Sequence, residues 1–170
     1  MHYQYPIESL ARKRGTASQF QFARQARNAM YDTDEAVYEP HSHGLVILAA
    51  NEAALEEPRR ILRDVYGDMV EVRGAKVRLM PGDPPQEPIA HVRISTRIEF
   101  AAAVLAELRR RGARVIEQCE RPRIFVARAE APMAALLGLP ARLVEIAGAD
   151  VVHAIRLLGY RPLAPGPIAA

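Results

Sequence analysis

The chain of 170 residues carries 23 Lys and Arg against 20 Asp and Glu, a formal net charge of +3, and 49% of its residues are hydrophobic. That length allows one large or two small domains with a sizeable core, and no apolar run reaches the eighteen or so residues of a membrane span. The single cysteine, Cys119, excludes an internal disulfide and a cysteine-based zinc site. The opening Met-His-Tyr-Gln-Tyr-Pro lacks the basic-then-apolar layout of a secretory signal, so the expectation is a cytoplasmic protein with no membrane partner.

Thr16 or Ser18 is expected to cap a helix running to Met30, with Phe22, Ala26 and Met30 on one face. Asp32 to His43, acidic at first and then Pro-His-Ser-His, is expected to be a loop. Leu45 to Ala50 is an apolar strand. Asn51 opens a helical stretch ending at Gly67, with Ile61, Leu62 and Val65 inward, and Pro58 must kink it or start a second helix. Met69 to Val72 and Lys76 to Met80 read as strands of a hairpin through Gly74. Residues 1–80 are thus a smaller α+β module whose topology the pattern leaves open. The segment Pro81-Gly82-Asp83-Pro84-Pro85-Gln86-Glu87-Pro88 (residues 81–88) has too many prolines for a helix or a central strand and is expected to be a stiff linker.

Beyond it the pattern sharpens. From Ile89 to Ser95, Ala90, Val92 and Ile94 alternate with His91, Arg93 and Ser95, the mark of a half-buried strand. Thr96-Arg97-Ile98-Glu99 fits a capping box, opening a helix through Phe100, Val104 and Leu108. Arg109, Arg110 and Arg111 fall in its last turn, where cations suit the helix dipole, and Gly112 stops it. A strand from Val115 to Cys119, a tight turn at Arg121-Pro122 and a strand from Ile124 to Ala129 follow. Pro132 suits the first turn of a second helix carrying Met133, Leu136, Leu137, Leu143 and Val144. Gly148 ends that helix, Val151 to Leu158 is the last strand, and the tail after Pro162 is expected to fray. The order β-α-β-β-α-β predicts an α+β, ferredoxin-like sandwich with both helices on one face of an antiparallel sheet. Phe125, Ala127 and Ala129 would face the helices.

No catalytic group emerges. The two lysines, Lys13 and Lys76, stand outside any Gly-Lys-Ser/Thr run, so the chain has no P-loop. His41 and His43 flank Ser42, but no Cys, Asp or third His joins them at a ligand spacing, so no metal and no cofactor is expected. Ser9, Ser18, Ser42 and Ser95 lack a nucleophile elbow.

Several segments, in order, carry a resemblance. Glu87-Pro88-Ile89 looks like a domain entry, and Arg109-Arg110-Arg111-Gly112 like the end of a first helix. Arg128-Ala129-Glu130-Ala131-Pro132-Met133-Ala134-Ala135-Leu136-Leu137-Gly138 looks like a third strand running into a second helix, and Gly148 sits just before a last strand. Together residues 87–165 resemble the C-terminal domain of translation elongation factor G, whose fold is ferredoxin-like. The loop Glu120-Arg121-Pro122-Arg123 is shorter than that family's and has no glycine. Ala149 and Asp150 follow Gly148 where the family often has an arginine.

The resemblance implies a noncatalytic, translation-factor-like protein that binds the ribosome or ribosomal RNA. Charge points the same way: up to Gln86 there are 11 Lys and Arg against 12 Asp and Glu, but from Glu87 onward 12 against 8, every cation an arginine. Arginine makes bidentate contacts with phosphate, so Arg109, Arg110, Arg111, Arg93 and Arg128 are the candidate RNA contacts. The open sheet face offers Ile124 and Val126 but no aromatic for base stacking, and a homodimer through that face could cover them. The alternative is a ferredoxin-like protein-interaction or small-ligand-sensing module.

Overall fold

The computed structural model describes residues 3–164. Met1, His2 and the tail from Pro165 lie outside them, so the expectation of a frayed tail and the limit of the second domain at residue 165 do too. The chain divides into two compact units, Met1–Val77 and Arg78–Ala170.

In the first unit the strand β1 (Ile7–Lys13) leads into the helix α1 (Gln19–Arg27). The Ser18 hydroxyl accepts the Gln21 N–H at 3.3 Å and so caps α1. The apolar spacing of α1 buries Phe22 and Ala26, and Met30 just beyond its end. The segment read as a loop from Asp32 to His43 contains instead the strand β2 (Ala36–His41), which turns through Ser42 and His43 into β3 (Gly44–Ala49). The helix α2 (Glu56–Tyr66) follows a short 3-10 turn, with Pro58 in its first turn, where the missing N–H costs nothing. Leu55, Pro58 and Leu62 form its inward stripe, whereas Val65, expected inward, is 57% exposed.

The strands β4 (Val70–Val72) and β5 (Lys76–Val77) do not form a hairpin. Both pair with β1, as two pieces of one broken strand. At the break Ser9 donates its hydroxyl to the Arg73 carbonyl at 2.6 Å, which accounts for a buried serine in β1. The strand order is β2-β3-β1-β4, all antiparallel.

In the second unit the proline-rich stretch turns back on itself rather than running on as an extended linker. The Met80 and Gln86 N–H groups each donate to the other residue's carbonyl, at 2.8 and 2.9 Å. The strand β6 (Gln86–Arg97) therefore starts inside it and runs on through Thr96, which is a buried strand residue and not a helix cap. A 3-10 turn leads into α3 (Ala101–Arg110), then come β7 (Arg114–Glu120) and β8 (Ile124–Pro132). Between them Arg121 and Ile124 exchange backbone hydrogen bonds at 2.8 and 3.3 Å, the tight turn expected at Arg121-Pro122.

The predicted second helix splits into α4 (Met133–Leu136) and α5 (Leu139–Ala147). Gly138 causes the break: its φ of +77° lies in the left-handed region that suits glycine. The last strand, β9 (Val152–Pro162), pairs with β6. The order β7-β8-β6-β9, antiparallel throughout, is the ferredoxin-like arrangement. Ala90, Val92, Ile94, Phe125, Ala127 and Ala129 are buried together with Val104 and Leu108 of α3 and Leu139 and Leu143 of α5.

Candidate functional site

Alternation along β6 and β8 sends one set of side chains to the helices and the other to the open face of the second sheet. Strand register arranges the open face in rows. Arg114 lies across from Glu130, then His91, then Arg156. Next come Glu117, Arg128, Arg93 and Ala154, and then Cys119, Val126, Ser95 and Val152. A shallow groove on this face is lined by Arg93, Arg128, Glu117, Ile124 and Arg121, among others.

Two arginines of the open face are neutralised locally. Arg128 donates to the Glu117 carboxylate at 2.8 Å, and Arg114 pairs with Glu130. Arg93, Arg121 and Arg156 have no acidic partner among the described residues, and all three are exposed. The same face exposes Ile124 (49%) and Val152 (62%). The structure therefore brings Arg93 and Arg128 together as cross-strand neighbours. Arg121 and Arg156 join them on the same face. The alternation of β9 was the signal that could have found Arg156, and the short β7–β8 turn the signal for Arg121.

The run at the end of α3 behaves differently. Glu107 is only 5% exposed and gathers two of its three arginines. Arg110 donates to both carboxylate oxygens, Nε to Oε2 at 2.9 Å and Nη2 to Oε1 at 2.6 Å, and Arg111 Nε donates to Oε1 at 2.6 Å. Arg111 Nη1 also reaches the carbonyls of Ala135 and Leu137, at 2.9 and 2.8 Å. Arg111 is thus a strut between α3 and the end of α4, while Arg109 is exposed and in no ion pair among the described residues. Hydrogen bonds from Arg110, opposed by burial and reinforced by Arg111, hold the Glu107 carboxyl at about 2. Its spacing of three and four residues from the arginines was visible in the sequence.

His41 and His43 stand at the β2–β3 turn with ring centroids 5.4 Å apart, and His41 Nε2 lies 3.3 Å from a Glu39 carboxylate oxygen. Among the described residues no group of three His, Cys, Asp or Glu could hold a metal ion. No described helix is long and apolar enough to cross a membrane.

Both units run strand-helix-strand-strand-helix-strand with equivalent strand order, so the chain belongs to the class of α+β proteins made of ferredoxin-like units placed one after the other in sequence. No protein-family model and no curated protein matches it. Among solved structures, the protein ttk003000868 from Thermus thermophilus is similar, with a TM-score of 0.64 at 13% sequence identity, over 93% of this chain and 41% of that one. The chain thus spans less than half the length of that protein, and at such identity the likeness is one of fold alone.

Proposed function

We propose that the chain is a noncatalytic, translation-factor-like protein that binds the ribosome through ribosomal RNA and does not itself hydrolyse GTP. The observation that carries this reading is the open face of the second sheet, where Arg93, Arg121 and Arg156 stand exposed without acidic partners among the described residues. Guanidinium groups so placed match phosphate oxygens. The open-face rows hold no aromatic apart from His91, so contact falls on the backbone phosphates and not on stacked bases. The resemblance of residues 87–165 to the C-terminal domain of elongation factor G supports the ribosome as the source of that RNA.

A second reading has its own observation. Ile124 and Val152 expose apolar surface beside the arginines, which suits a protein partner and a ferredoxin-like interaction module unrelated to the ribosome.

Cosedimentation with ribosomes over a salt series separates the two. The triple variant Arg93→Gln, Arg121→Gln, Arg156→Gln should bind more weakly, with a salt slope flatter by about one unit for each phosphate that it no longer neutralises. Failure of the native chain to cosediment at low salt, or a folded triple variant that binds as before, rejects the ribosomal reading.

A further inference from the structure

The edges of the two sheets are defended unequally. A free edge strand presents unpaired N–H and C=O groups that invite another strand, and proteins blunt such edges with prolines, charges, bulges or shortness. In the first unit β2 is six residues long and contains Pro40, and the opposite edge is broken between β4 and β5. In the second unit β7 has an irregularity between Val115 and Glu117 and carries Arg114, Glu117 and Glu120. The remaining edge, β9, is 11 residues long, with no proline before Pro162 and no lysine or acid, and its only charges are Arg156 and Arg161. Among the described residues it pairs with β6 alone. From Val152 to Leu157 it keeps regular register, and the irregularity comes only at Leu158.

We infer that β9 pairs antiparallel with β9 of a second copy of this chain, about a two-fold axis through Ile155. In this register Ile155 meets itself and His153 faces Leu157 of the partner subunit. Ala154 faces Arg156 of the partner subunit, and Val152 comes beside Leu158 of the partner subunit. An axis through Arg156 would set two guanidinium groups against each other, which is destabilising. An axis through Ala154 would set Val152, 62% exposed, against a guanidinium. Of these three registers only the Ile155 one keeps the arginines apart and brings apolar next to apolar, and one short stretch supplies both sides, as a closed two-fold interface requires. Opposed residues share a face in strand pairing, so the two arginine-bearing faces lie on the same side of one continuous sheet. The pairing needs no RNA and stands apart from the ribosomal reading.

The test is sedimentation equilibrium on the full chain without nucleic acid, with two variants of Ala154, which is exposed. Ala154→Lys sets an ammonium against Arg156 of the partner subunit twice in each dimer and should raise the dimer dissociation constant about tenfold. Ala154→Glu reverses the sign and should lower it by several-fold. A native chain that stays monomeric at every concentration overturns the inference. So does a dimer whose dissociation constant responds to neither variant while circular dichroism shows both folded.

Discussion

Glu107 is a carboxylate enclosed by the arginines that an unaided reading would send to solvent. Its value of about 2 in the folded chain lies below the 4.5 of a free glutamate, so the folded state binds fewer protons between those limits. The stability it contributes is complete above about 4.5 and is lost as pH falls through about 2. Glu107→Gln should cost on the order of 2 kcal/mol near neutral pH, because it leaves Arg111 facing an uncharged partner in a largely buried corner. The difference between native and variant should shrink as the pH falls. Urea unfolding at neutral and at strongly acid pH measures both, and an equal difference at the two would show that ionisation of Glu107 is irrelevant. The pairing was legible as a three- and four-residue spacing, but the burial that gives it weight was not. Burial comes from α4 and α5 packing beside α3, and no local pattern encodes that.

At the scale of the element, long alternating segments were legible and short ones were not. β6 and β8 each alternate over many residues, and their inward faces came out as read. β2 was missed because its Val-Tyr-Glu-Pro-His composition mixes polar groups and a proline into an edge strand, where they are tolerated. The capping-box reading of Thr96 failed because pairing with β8 holds that stretch extended as far as Arg97, overriding a local helix-start signal. The β2–β3 hairpin depends on Gly44. Its φ is +141°, and an added Cβ would come within 2.3 Å of the Ala11 carbonyl oxygen. That oxygen belongs to the neighbouring strand and cannot swing away. Gly44→Ala should therefore destabilise the protein by about 2 kcal/mol or more, read as a lowered thermal midpoint. A midpoint within a degree of the native value would mean that β1 and β3 separate more easily than their pairing implies.

At the scale of the whole molecule, the equivalence of the two halves was hidden. The first half keeps the β-α-β-β-α-β order, but its last strand is cut into pieces of three and two residues and its second strand is disguised. Strand order is a long-range property that hydrophobic periodicity does not carry, and it emerges only from pairing. In both halves the first strand lies beside the last: Ile7 is across from Val77, and Gln86 is across from Pro162. Each unit is therefore entered and left at one spot, a single strand spacing of about 4.8 Å wide. A few added residues could join those ends. A circular permutant of the second unit, closed there and reopened at the Arg121–Ile124 turn, should keep its fold. Its refolding rate should stay within about tenfold of the native unit's, because the contact between β7 and β8 becomes distant in sequence while that between β6 and β9 becomes local. Stopped-flow refolding and circular dichroism would check this, and an unfolded permutant would count against it. A unit with its entrance and exit side by side is a cassette: evolution can splice it into a longer chain, or out of one, while the flanking segments close over the gap almost undisturbed.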